Sequence, residues 1–117
     1  ECSVLGTSLK TTPIFAAFAN GMSGHADETD DSNSQLHPGC AIVPAALALA
    51  ESHNHGGDAL LRAVILGYDI GFRFHQAFEP RSTSFGATFG CATAAGTLAE
   101  LDDLQLRYLV SYAAQQA

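Results

Sequence analysis

Positive charge is scarce in this chain. Its 117 residues include only five Lys and Arg against twelve Asp and Glu, which gives a formal net charge of −7. Binding to nucleic acid or to an anionic membrane surface relies on clusters of Lys and Arg. The composition therefore argues against nucleic acid and against membranes as partners.

Long apolar runs are also missing. Charged residues such as Glu51, Asp58 and Arg62 interrupt every candidate, whereas a membrane helix needs about 20 consecutive apolar residues. The first residues have neither the basic start nor the apolar block of a secretory signal peptide, and no Met opens the chain. We expect a piece of a longer cytoplasmic polypeptide, or of a mitochondrial one in a eukaryote.

The three cysteines do not form a recognisable metal motif. Cys2, Cys40 and Cys91 are odd in number, and their spacing fits no zinc motif. We predict that they are small buried residues in a reducing compartment. A catalytic thiol is the less supported alternative, because none has a cation beside it in sequence.

What the chain does have is helical periodicity. Nearly half of the residues are hydrophobic (47%) and 15% are charged, which is typical of one globular domain. Apolar residues recur at helical rather than strand spacing, so we predict an all-α domain of about five helices. The first predicted helix starts at Pro13, after an N-cap at Thr12. The second covers 40–51, the third runs from Asp58 to about Ala77, and the fourth covers 85–98. The fifth starts at Asp102 or Asp103.

Three of these helices carry further predictions. The second is apolar on every face, so it should be buried all round, with Pro44 in its first turn. It should end at His53 and His55, which we interpret as solvated loop residues. Gly67 and Gly71 should let the third helix approach a neighbour closely. The apolar stripe of the third helix should comprise Leu60, Leu61, Val64, Ile65, Tyr68 and Phe72.

The segment between the first two helices is the candidate site. Four acidic residues, Asp27, Glu28, Asp30 and Asp31, lie within five positions, and His25 and His37 bracket them. Crowded carboxylates repel one another and should raise the pKa of at least one of them. Such groups can serve acid–base chemistry, with histidine as proton donor near neutral pH and Ser32 as a hydrogen-bond donor to a substrate oxygen.

Other interpretations of this segment stay open. Asp30, Asp31 and Ser32 are also typical of helix caps and Asx turns. A mixed site in which histidine and carboxylate bind a metal is possible, whereas the spacing of an EF-hand calcium loop is absent. The N-terminus of the helix after Pro38-Gly39 should attract anions such as substrate carboxylates.

The ordered series of motifs resembles the MmgE/PrpD family over nearly the whole chain. The matching segments are Ala19-Asn20-Gly21, His25-Ala26, Asp30-Asp31-Ser32, His37-Pro38-Gly39, the run over 43–51, Gly67-Tyr68-Asp69-Ile70 and the run over 85–90. The resemblance implies an all-α domain that pairs with a separate lid domain, in a homodimer. It also implies chemistry on small di- and tricarboxylates without a metal or other cofactor, including dehydration of 2-methylcitrate and decarboxylation of cis-aconitate.

The resemblance also assigns roles to residues. The family's acidic residue, its Thr and its His before Pro fall on Glu28, Ser32 and His37, which we predict to be catalytic. His25, Asp30 and Asp31 are predicted to bind substrate. Family members often have another histidine before the Phe-Gly of the fourth helix, but here residues 80–83 contain none.

Arg81 is the residue in that stretch that we predict to bind a substrate carboxylate instead. The family's catalytic lysines and its lid would lie beyond Ala117, so residues 1–117 form a partial helical domain that we expect to be inactive alone. The parent would be a lyase or isomerase. The alternative is a non-catalytic helical interaction module or a degenerate paralogue, which the missing histidine favours.

Overall fold

A computed structural model describes residues 1–33, 36–78 and 84–117, and five helices follow a short N-terminal ribbon. The predicted all-α class is confirmed. The elements are β1 Cys2–Ser3, β2 Lys10–Thr11, α1 Pro13–His25, α2 Gly39–His53, α3 Gly57–Ala77, α4 Phe85–Leu98 and α5 Asp103–Gln116. Within the described ranges, no helix is both long and apolar enough to cross a membrane.

The ribbon was not predicted, because two-residue strands are too short to show an alternating pattern. Its strands pair antiparallel, with Cys2 opposite Thr11. Cys2 is fully buried, and its thiol donates a hydrogen bond to the carbonyl of Ala48 in α2 (3.1 Å). Asn20 of α1 completes the attachment, since its side chain accepts from the Leu5 amide (2.8 Å) and donates to the Ser3 carbonyl (3.0 Å).

Close contact between α3 and α4 organises the core. A Cβ atom at Gly90 would lie 2.6 Å from the Gly67 carbonyl oxygen, and one at Gly86 would lie 2.6 Å from that of Gly71. Only glycine on both helices allows the two backbones to come this near. The predicted close approach at Gly67 and Gly71 is therefore confirmed.

The predicted apolar stripe of α3 is wrong in part. The residues that the helix buries are Ala63, Gly67, Gly71 and His75. Leu61 and Ile65 are instead exposed (60% and 57%). Because the contact with α4 is made by small residues, large side chains do not fit between the helices. Those at the margin of the contact, Leu60, Val64 and Tyr68, pack against the core from the side.

Helix α2 lies largely inside the domain, as predicted, and contributes Ile42, Ala46 and Ala50 to the core. Pro44 is inside the helix, beyond the first turn in which we expected it. Proline has no N–H, so the Cys40 carbonyl loses its normal helical donor. That carbonyl faces α1, where a Cβ atom at Gly21 would lie 2.9 Å from its oxygen.

Two predictions about helix ends need correction. His53 and His55 are not merely solvated, because both rings contact the Leu98 carbonyl oxygen at the end of α4, at 3.3 Å and 2.7 Å. Asp58 is in the first turn of α3, whereas the N-cap residue is Gly56. The predicted start of α5 is confirmed, since Asp102 caps that helix and forms a capping box with Gln105.

One face of α1 is apolar and exposed. Ile14 is 79% exposed and Phe18 is 66% exposed, and Phe15 and Met22 lie on the same helix with similar exposure. The opposite face buries Ala16 and Asn20 against the ribbon and α2.

Candidate active site

Buried residues fix the end of the α1–α2 loop that leads into α2. His25 is the last residue of α1, and Leu36 and Pro38 precede α2 with fully buried side chains. Asn33 and Leu36 exchange backbone hydrogen bonds of 2.9 Å and 3.0 Å. Because Leu36 and Pro38 are buried on either side of His37, the position of that histidine is set by the core.

Asp30 lies between the two histidines. Its carboxylate contacts the Nδ1 atom of His25 at 3.0 Å and 3.1 Å, and Oδ1 lies 3.5 Å from Nδ1 of His37. The rings of His25 and His37 are 5.1 Å apart and nearly perpendicular. The Asp30 side chain is only 9% exposed. The three residues form one cluster, which we call the His25–Asp30–His37 cluster.

The cluster holds Asp30 in its ionised form. The hydrogen bond from His25 lowers the pKa of Asp30 to about 2, with a further contribution from Cys40 and against the opposing effect of burial. The rise in pKa predicted for at least one residue of this acidic run is not found at Asp30, because the hydrogen bonds that it accepts outweigh the effect of burial. A carboxylate at Nδ1 favours the tautomer with hydrogen on that nitrogen, which leaves Nε2 for a substrate.

His37 has an unusual environment. Its Nδ1 atom is buried and has no hydrogen-bond partner among the described residues. Buried polar atoms usually have a partner, so an atom of this kind in a cleft suggests that a ligand or a small movement completes the contact. Oδ1 of Asp30 lies 3.5 Å from this nitrogen.

Asp31 anchors the loop rather than facing the histidines. It accepts the Gly39 amide hydrogen at 3.0 Å, which caps the first turn of α2, and the Tyr68 hydroxyl of α3 donates to it at 2.9 Å. A Cβ atom at Gly39 would overlap the Asp31 carboxylate. The helix-capping alternative therefore describes Asp31 well, and its binding of substrate stays a prediction.

Tyr68 was missed as a residue of this region, because its place in an apolar stripe predicts only packing. Burial and the neighbouring carboxylate of Asp31 raise the pKa of Tyr68 above its usual range. It therefore remains a hydroxyl donor at physiological pH. No feature of the local sequence indicates that contact, which joins residues 37 positions apart.

An open cleft of about 380 Å³ lies beside the cluster. It is lined by His25, Glu28, His37, Cys40, Ala41, Ser84 and Ala87. Three predicted site residues therefore meet there: both histidines and Glu28. Glu28 is exposed and has a left-handed backbone (φ 50°), which is uncommon for a residue with a side chain.

Ser32 and Arg81 are the remaining predicted residues. Ser32 is exposed and is not among the residues that line the cleft. Arg81 lies outside the described residues. The first turns of α2 and α4 both border the cleft, through Cys40 and Ala41 on one side and Ser84 and Ala87 on the other. Two helix N-termini at one cleft favour an anionic ligand.

Cys40 is a neutral thiol in the absence of a ligand. Burial is the main reason that its pKa is raised to about 11, and Asp30 adds to the effect. The thiol donates a hydrogen bond to the His37 carbonyl at 3.3 Å. A raised pKa makes Cys40 a poor nucleophile. The predicted burial of the cysteines is found for Cys2, whereas Cys40 and Cys91 are half-buried.

Some of these side chains could also hold a metal ion. His25, Asp30 and Cys40 each present one ligand atom, and these atoms all lie within 4.8 Å of one another. The set combines a nitrogen, an oxygen and a sulfur donor, a combination that suits borderline transition metals such as zinc.

Comparison with known proteins gives a consistent assignment. All of residues 1–117 match the family model described as the MmgE/PrpD N-terminal domain. The human protein named cis-aconitate decarboxylase is 30% identical over 122 aligned residues, which cover 93% of this chain and 25% of that protein. The chain thus spans about a quarter of the length of this curated relative. No solved structure gives a significant match.

Proposed function

Because this chain belongs to the MmgE/PrpD family, we propose that it supplies the histidine-bearing wall of an active site in a lyase or isomerase that acts on small di- or tricarboxylates. The reaction would be a metal-independent dehydration of a 2-methylcitrate-like acid or decarboxylation of a cis-aconitate-like acid. The relative named cis-aconitate decarboxylase supports this class of substrate.

The observation that carries the proposal is the position of Asp30 between two histidines that line one cleft. An ionised carboxylate at Nδ1 stabilises the positively charged form of an imidazole ring. A charged ring can bind a substrate carboxylate or donate a proton from Nε2. We assign proton donation to His37 and carboxylate binding to His25, with Asp30 as the residue that positions both rings.

Each candidate reaction needs a proton at a defined point. In a dehydration, a base such as Glu28 removes the hydrogen on the carbon next to a carboxylate, and His37 protonates the departing hydroxyl group, which leaves as water. In a decarboxylation, the C–C bond breaks, CO₂ leaves, and His37 protonates the carbon that keeps the electron pair. Both routes need a side chain that can give a proton to the substrate, a role that histidine commonly fills in enzymes.

Charge balance indicates that this chain provides only part of the site. Substrates with two or three carboxylates need several positive groups, and the described cleft lining contains no Lys or Arg. The N-termini of α2 and α4 supply partial positive charge. We propose that the remaining cationic groups come from another part of the polypeptide that acts as a lid, and that the protein works as a homodimer.

A pair of histidine variants tests the assignment. The intact protein and its His37→Ala variant are assayed on a panel of di- and tricarboxylic acids with identification of the products. We expect His37→Ala to lower turnover by about two to four orders of magnitude, the usual reach of general acid–base catalysis. His53→Ala is the matched control, because His53 contacts the end of α4 and not the cleft.

Three outcomes would contradict the proposal. Parental turnover in His37→Ala would exclude the assigned donor. Strong loss in His53→Ala alone would place the chemistry elsewhere. If the intact protein converts no acid of the panel, the non-catalytic helical module becomes the better description.

A further inference from the structure

The His25–Asp30–His37 cluster and Cys40 together offer four side chains that can bind a metal ion. Cys40 takes part in no catalytic step described above, yet its sulfur lies within 4.8 Å of ligand atoms of His25 and Asp30. The buried Nδ1 atom of His37, which has no hydrogen-bond partner among the described residues, lies 3.5 Å from Asp30 and adds a fourth donor.

We propose that His25, Asp30 and Cys40 bind a divalent transition metal such as Zn²⁺, with His37 as the fourth donor, and that the bound ion inhibits the enzyme. The ion would occupy the histidine side of the cleft without taking part in the reaction. The binding can be measured without substrate, whereas its inhibitory effect rests on the proposed function.

Three of the four donors need only small adjustments for such an ion. Ligand atoms of a tetrahedral zinc site are about 3.3 to 3.8 Å apart, given zinc bonds of about 2.0 to 2.3 Å. The His25 to Asp30 distance is already 3.0 Å and that from Asp30 to His37 is 3.5 Å. The ligand atoms of His25, Asp30 and Cys40 already lie within 4.8 Å of one another, whereas His37 is outside that set, so the His37 ring is the donor that must move most.

Metal binding changes the protonation of the ligands. The sulfur–metal bond replaces the S–H bond of Cys40, and the released proton passes to solvent. A proton on Nδ1 of His25 leaves in the same way. When Asp30 and the Nδ1 atoms of both histidines are bound to the ion, His37 can no longer act as the proton donor. His25 can no longer bind a substrate carboxylate as a charged ring. Inhibition follows directly from sharing these residues.

Cobalt provides a spectroscopic test of the ligand set. The intact protein, without substrate, is titrated with Co²⁺, and absorption from charge transfer between thiolate and cobalt is recorded. The same protein is titrated with Zn²⁺ against a chromophoric chelator. We expect the thiolate band in the parent, its loss in Cys40→Ser, and an affinity for Zn²⁺ that is weaker by about tenfold or more in that variant.

Matched variants control for other sites and for folding. Cys91→Ser should keep the band, because Cys91 is not in the ligand set. His25→Ala should weaken binding like Cys40→Ser; its ring is 43% exposed, so the substitution leaves the core intact. His55→Ala should bind like the parent. Circular dichroism of each variant shows whether the helices have formed.

The outcomes are distinct from those for the proposed reaction. No thiolate band in the folded parent, or a band that persists in Cys40→Ser, overturns the metal site whatever the enzyme does. If Zn²⁺ binds through Cys40 but raises turnover, the inhibitory role is overturned. Two results together support the whole inference. Zn²⁺ lowers turnover of the parent, and the Zn²⁺ concentration for half-inhibition is about tenfold higher for Cys40→Ser.

Discussion

Substitution of Gly90 by alanine tests how closely the structure of the cleft depends on the contact between α3 and α4. The new Cβ atom would lie 2.6 Å from the Gly67 carbonyl oxygen, whereas ordinary contact begins at 3.4 Å, a shortfall of about 0.8 Å. It would also lie 2.6 Å from Cδ1 of Ile42. The Ile42 side chain can rotate, but the Gly67 carbonyl belongs to a helix backbone and can give way only if the helices separate.

Two opposing terms set the expected magnitude. Overpacking of a close contact costs about 1 to 3 kcal/mol, and more where backbone must move. Alanine in place of a helical glycine recovers up to about 1 kcal/mol of helix propensity. We expect Gly90→Ala to lower the free energy of unfolding by about 1 to 2 kcal/mol. Movement of α4 should also displace Ser84 and Ala87, which line the cleft, and so lower turnover.

The assay is thermal or urea unfolding of the intact protein, together with turnover. Gly57→Ala is the matched control, because Gly57 is also helical but a Cβ atom there would meet nothing within 4 Å. The control should keep or raise the free energy of unfolding, by up to about 1 kcal/mol, because it gains helix propensity without a clash. Equal stability of the two variants would refute the backbone contact as the reason for glycine at position 90.

Two further predictions concern the loop and the ribbon. The folded-state pKa of Asp30, about 2, is below its ordinary value of 3.8, so its contribution to stability is present above about pH 4 and is lost as the pH falls towards 2. In acid unfolding, Asp30→Asn should therefore be less sensitive to pH over this range than the parent, and an equal dependence would contradict the contact with His25. Asn20→Ala should cost about 1 to 3 kcal/mol in unfolding experiments, because it leaves the Leu5 amide and the Ser3 carbonyl without their partner. Gln76→Ala, at an exposed position of α3, is the control, and equal losses would contradict the role of Asn20.

Local sequence determined the helices of this protein and their limits. The N-cap and proline at Thr12-Pro13 start α1, Asp102 starts α5, and the glycine- and alanine-rich run over 85–98 forms α4 with the predicted bounds. These features act within a few residues of one another, so periodicity and capping are sufficient to read them. The sequence also indicated the loop that holds His25, Glu28 and His37, because unusual side chains are concentrated there.

Tertiary structure decided which side chains meet. The sequence could not show that glycines rather than leucines form the contact between α3 and α4, because burial of a face depends on what packs against it. It could not separate Asp30, which contacts the histidines, from Asp31, which caps α2 and accepts from Tyr68. Adjacent residues in a loop can point to opposite sides, and only the long-range packing of the helices at its ends fixes which side each one faces.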